Sequence, residues 1–159
     1  MGKKFTCTSE AQKKAIRANY ARLTAKKNVS ANIPNGTILH TRDNYLEGAD
    51  GKSVKGRYVV VLDSNRNGDL GVGKVTHSQK EAGVSVAENF DEKSRIQVGG
   101  LSTKDNSGQP IRVSNKFQLK PSKGLVEEHK VNEIKKALVT DKRFGKRNRQ
   151  RLHNLKGRK

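Results

Sequence analysis

Three short stretches of the 159-residue chain carry side chains that could act on a phosphodiester. Arg57 stands immediately before the apolar run Tyr58-Val59-Val60-Val61-Leu62. Thr76, His77 and Ser78 close a second β-like stretch that starts at Leu70, and Arg112 and Ser114 flank a third around Ile111–Val113. Cleaving an RNA backbone needs cations to offset the charge of a pentacovalent phosphorane and a hydroxyl to fix a phosphoryl oxygen. It also needs an acceptor for the 2′-OH proton. Residues at strand ends that are distant in the chain can converge on one surface, so Arg57, Thr76 and Arg112 form the candidate catalytic set. His40, His77, Ser78 and Ser114 are the candidate RNA contacts beside them. Arginines flanking buried strands also snorkel and keep sheet edges soluble, so a plain surface role stays open at this point.

Other chemistries find less support. His40, His77, His129 and His153 show no ligand spacing and have no cysteine partner, so no metal site is expected. Asn65 to Asp69 lacks the acidic ligands of a calcium loop. Gly71 and Gly73 give only G-x-G, which reads as a tight turn or bulge rather than a phosphate-binding loop. The single cysteine, Cys7, excludes an internal disulfide framework and has no positioned histidine to make it a nucleophile. No cofactor is implied.

The formal net charge is +19, from 34 Lys and Arg against 15 Asp and Glu. It is concentrated at the ends: residues 1–32 carry +7 and residues 140–159 carry +8, whereas 33–115 carry only +1. Cations that neutralise phosphates release condensed counterions, a sequence-independent and salt-sensitive gain. Nucleic acid is therefore the leading partner, with Lys142, Arg143, Lys146, Arg147, Arg149 and Arg151 as contacts; an acidic protein and mere solubility remain alternatives. The longest apolar run is five residues, against roughly 20 for a membrane span. No apolar stretch follows the basic N-terminus, so the expectation is a soluble cytoplasmic protein.

Periodicity predicts the elements that would position these groups. Ser9 and Gln12 have capping-box spacing, and Ile16, Tyr20 and Leu23 put one apolar stripe on a basic helix over about Glu10–Lys27. From Ile33 the pattern turns to β, with strands at Gly36–His40, Tyr58–Leu62, Leu70–Thr76, Val84–Val86, Arg95–Val98, Ile111–Val113 and Phe117–Leu119. The unbroken Tyr58–Leu62 run reads as a strand buried on both faces. Such short, closely spaced strands suggest a small barrel. A helix capped by Ser122 follows, its stripe made of Leu125, Val131, Ile134 and Leu138. The chain thus divides into a basic helical arm (1–32), a mainly β domain with a closing helix (33–139) and a basic tail (140–159), either a frayed helix or disordered.

The order of these pieces resembles the MazF/PemK family of toxin endoribonucleases over about residues 33–139. Gly36-Thr37-Ile38-Leu39 is similar to the family's opening strand. Gly56-Arg57-Tyr58-Val59-Val60-Val61-Leu62 is similar to its arginine-bearing strand, with Tyr58 where proline is usual. Val75-Thr76-His77-Ser78 resembles the strand closing on threonine. Pro110-Ile111-Arg112-Val113-Ser114, then Phe117-Gln118-Leu119-Lys120, resemble the next segment, and Leu125 with Val131–Leu138 the closing helix. The resemblance implies an SH3-like β-barrel with a C-terminal helix, a homodimer, metal-independent cleavage of single-stranded RNA, and an acidic antitoxin partner. It gives Arg57 the role of stabilising phosphate charge, Thr76 a phosphoryl hydrogen bond, and Arg112 acid catalysis or phosphate contact. Ser114 stands where the companion acid of Arg112 is found, and His40 lies near the loop that supplies a base in some members. The competing reading is a non-catalytic RNA- or ribosome-binding barrel with basic extensions. A third is a protein-interaction module that meets an acidic partner.

Overall fold

The computed structural model describes residue 14 and residues 33–47, 55–79, 82–113 and 116–157. Cys7, Ser114 and, apart from Lys14, the helix expected over Glu10–Lys27 lie outside the described residues. Six strands form one antiparallel sheet: β1 (Ile38–Arg42), β2 (Gly56–Ser64), β3 (Leu70–Thr76), β4 (Gly83–Ser85), β5 (Arg95–Ser102) and β6 (Gln118–Leu119). Their order across the sheet is β4-β5-β3-β2-β1-β6. Two helices follow, α1 (Glu128–Thr140) and α2 (Gly145–Gly157).

The β2 run behaves as its composition predicts. Val59, Val60, Val61 and Leu62 are all fully buried, because alternate side chains enter two different cores. Val60 and Leu62 join Ile96, Val98, Val131, Ile134 and Leu138 under the helices. Val59 and Val61 join Leu39, Leu46, Leu70, Val72, Ile111 and Phe117 on the other side. A sheet covered on both faces needs this continuous apolar strand, and strict alternation would leave one face polar. Gly71 and Gly73 lie in β3, whose register with β5 shifts between Gly73 and Val75. The Ile96 and Leu62 side chains fill the space a Cβ at 73 would need.

Four expectations are corrected. First, β4 and β6 end the hydrogen-bonded order, so among the described residues the sheet is open rather than a closed barrel. At three and two residues these strands are too short to close it. Second, Ile111–Val113 is not a strand but a bridge, Ile111 pairing with Leu70. Third, Ser122 caps nothing: Pro121–Lys123 is a 3-10 turn, and α1 begins at Glu128 after Glu127, without a side-chain cap. The helical stripe of Val131, Ile134 and Leu138 is buried as expected, whereas Leu125 precedes the helix and bridges to Thr37.

The fourth concerns the basic C-terminus, where the helical alternative holds over Gly145–Gly157, but as a docked helix rather than a frayed one. β4 pairs only with Arg95–Gln97, so the distal half of β5 keeps carbonyls that must find other donors. Helix α2 supplies them. Asn148 Nδ2 donates to Val98 O at 2.7 Å and to Leu138 O of α1 at 2.8 Å. Arg151 Nη1 donates to Leu101 O at 2.7 Å and Arg147 Nη2 to Gly99 O at 3.2 Å. Leu155 is fully buried, and Lys156 Nζ reaches Asp63 Oδ1 and Ser64 O, both at 2.8 Å. No helix among the described residues is long and apolar enough to cross a membrane.

Candidate functional site

Arg57 begins the second position of β2 and faces Thr41 across the β1–β2 ladder. Its guanidinium is fixed on two sides. Nε donates to Asp43 Oδ1 at 3.1 Å, and Nη1 donates to Val75 O on the neighbouring strand at 2.8 Å. A guanidinium has five N–H donors, so the remaining ones are available in a fork already held in orientation. Thr76 is the last residue of β3. Its Oγ1 accepts from the Ser78 amide at 3.1 Å, which leaves the hydroxyl proton free to donate elsewhere.

Arg57 and Thr76 line the same open cleft, about 310 Å³ in volume. It lies between the start of β2, the end of β3, the β4–β5 connection and the 3-10 turn at Lys123. Its wall includes Tyr58 and Phe90, whose ring centroids are 5.2 Å apart, and Lys123 Nζ stands 5.2 Å from the Tyr58 centroid. Asn89 Nδ2 holds the Lys123 backbone by donating to its carbonyl at 3.0 Å. The cleft thus combines two cations, a hydroxyl and aromatic surface, which suits an anionic ligand with a flat ring.

His77 belongs to the same cleft. Its Nε2 lies 2.9 Å from Asp91 Oδ2. Asp91 Oδ1 in turn accepts from Ser94 Oγ and from the Lys93 amide, each at 3.0 Å. Desolvation acts to raise the Asp91 carboxyl, but the Ser94 and Lys93 hydrogen bonds and the His77 partner outweigh it and hold the group below its ordinary range. Gln79 Nε2 bonds both His77 O and Lys93 O, tying the segment after β3 to the one that carries Asp91.

His40 stands behind this wall, not in it. Its ring packs edge-on against Tyr58 at 4.8 Å and occupies the space a side chain at Gly56 would need. Burial, and then the charge of Lys120, lower its pKa from 6.5, so the neutral imidazole is favoured.

Arg112 does not join the set. Its Nε bonds Asp69 Oδ1 at 2.6 Å, beside the Ile111–Leu70 bridge at the beginning of β3. Thr76 is at the other end of that strand, about 20 Å away at ~3.3 Å per residue. Sequence order ranks strand-end residues but does not say which end of the sheet each reaches. Among the other expected RNA contacts, Ser78 contributes its amide to Thr76, and Ser114 lies outside the described residues. Arg147 and Arg151 bond β5 carbonyls, and Arg149 Nη1 bonds Val139 O at 2.6 Å. Lys142 and Lys146 are exposed, and the Arg143 and Arg147 guanidinium groups sit 4.8 and 4.7 Å from the Phe144 ring centroid.

Residues that sequence reasoning missed complete the picture. Asp43, Asp91, Phe90, Ser94 and Lys123 come from turns without periodicity. Lys74, two residues before Thr76, has its pKa lowered first by burial; Asp43 and Glu47 oppose this, and Arg57 and Arg151 add to it. With the Arg57–Asp43 and Arg151–Glu47 pairs, it links the cleft arginine electrostatically to the docked helix. Among the described residues no three His, Cys, Asp or Glu side chains gather to hold a metal ion. Compared with known proteins, the chain matches no family model, no curated protein and no solved structure.

Proposed function

We propose that the protein is a toxin-like, metal-independent endoribonuclease acting on single-stranded RNA in the cytoplasm, built on an SH3-like relative of the MazF/PemK fold. The observation that carries this reading is the meeting of Arg57 and Thr76, from neighbouring strands, in one open cleft. Arg57 would offset charge developing on the phosphorane, and its two existing hydrogen bonds reduce the reorganisation needed at that moment. Thr76 would hold a phosphoryl oxygen through its free hydroxyl proton. The 2′-OH would attack the adjacent phosphorus and leave a 2′,3′-cyclic phosphate and a 5′-OH. Arg112 has no part in this site. The net charge of +19 supports non-specific affinity for the RNA backbone, and an acidic antitoxin would meet the same surplus.

Labelled single-stranded RNA incubated with the protein in EDTA tests the reading. Fragments ending in cyclic phosphate are expected. RNA that stays intact contradicts the enzyme reading. The second reading, a module that holds RNA without cutting it, is favoured by the exposed cations outside the cleft, Lys142 and Lys146. It predicts retention that weakens steeply with salt and no fragments.

A further inference from the structure

We infer that His77 is the general base of this site and Asp91 its positioning residue; the inference rests on the endoribonuclease reading above. An acceptor for the 2′-OH proton is the one part that Arg57 and Thr76 cannot supply, since a guanidinium has no lone pair to offer and an alcohol is a weak base. His77 follows Thr76 directly in the chain and lines the same cleft. The Nε2 contact to Asp91 Oδ2 lies at 2.9 Å; an ionised carboxylate can only accept, so in the neutral ring Nε2–H donates to it and Nδ1 keeps its lone pair. Among the described residues no side chain bonds Nδ1. With 61% of its side chain exposed, His77 is open to a ligand.

Asp91 is held more firmly than a surface ion pair requires. Its second oxygen takes two hydrogen bonds, one from the buried Ser94. The Gln79 amide clamps His77 O against the Lys93 backbone, and Arg95 Nη1 holds Gln79 Oε1 at 2.6 Å. Base, orienting carboxylate and supporting shell thus form a chain of fixed contacts, the arrangement by which a histidine is readied for proton transfer.

The step balances without a further reactant. The 2′-OH proton passes to His77 Nδ1 as the O2′ electron pair forms the bond to phosphorus. The P–O5′ bond breaks, and the departing O5′ takes a proton from water. His77 then returns its proton to solvent.

The test measures cleavage of single-stranded RNA in EDTA by the full chain and by its His77→Ala, His77→Gln, Asp91→Asn and Asp91→Glu variants. Binding of a 2′-deoxy oligonucleotide is measured alongside. Both His77 variants should cut at least about 100-fold more slowly, the usual contribution of general-base catalysis, with affinity for the 2′-deoxy probe unchanged. Added imidazole should restore part of the rate to His77→Ala alone. Asp91→Asn should lower kcat at constant KM, and Asp91→Glu should recover some of it. If the native chain cuts and the His77 variants cut equally well, or imidazole restores nothing, the base assignment falls and the nuclease reading stands. If the native chain leaves RNA intact, both fall.

Discussion

Arg57→Ala is expected to slow RNA cleavage by about 100-fold or more, while Arg112→Ala changes it by less than about twofold. Losing one preorganised donor aimed at developing charge typically costs 10²–10³ in rate, and Arg57 alone of the two faces the cleft with Thr76. Arg112 is turned to Asp69 at the far end of β3. The native Arg57 also ties Asp43 to the end of β3, so melting curves should accompany the rate measurements and both variants should be assayed well below their transitions. Equal losses in the two variants would restore the three-residue site drawn from strand-end placement, and the cleft would lose its claim.

Asn148→Ala should lower the unfolding free energy by about 2–4 kcal/mol, read from urea denaturation at unchanged slope. The side chain is fully buried, and its amide satisfies carbonyls on β5 and α1 together. Truncation leaves Val98 O and Leu138 O buried without a donor, at roughly 1–3 kcal/mol for each unsatisfied group. Part of that sum is offset because the Asn148 Oδ1 it removes is itself buried without a partner among the described residues. A loss under about 0.5 kcal/mol would mean that α2 is not held against the sheet in solution. The consequence would reach the cleft, because Arg151 of the same helix pairs with Glu47 beside Lys74 and Arg57.

Much of the scaffold was legible because burial is written in periodicity. The unbroken valines of β2, the Leu70–Thr76 strand, and the Val131, Ile134 and Leu138 stripe each hide one pattern from water, and each lies where that pattern puts it. The docking of helix α2 was not legible, for a definite reason. Its inward face is Asn148 and, seven residues on, Leu155; a polar residue in the buried row makes an apolar count read as a tail. The basic residues there donate to carbonyls that a short β4 leaves free, and no local signal announces that need. In the site, Arg57 and Thr76 were visible as strand-end groups, and both line one cleft. Arg112 looked equivalent, but a bridge at Leu70 fixes it to the opposite end of β3. Asp91, fourteen residues after His77 in a turn, has no pattern connecting it to its partner; only the fold of the β4–β5 connection brings them together.

Amide chemical shifts followed while a single-stranded oligonucleotide carrying 2′-deoxy sugars at every position is added would show where the nucleotide linkage sits. Such a ligand has no 2′-OH to attack with, so it should bind without being cut. The largest shifts are expected at Gly56, Arg57, Thr76, His77, Phe90 and Asp91, around the cleft. Shifts confined to α2, with the cleft amides unmoved, would contradict that placement and leave a basic helix as the nucleic-acid surface.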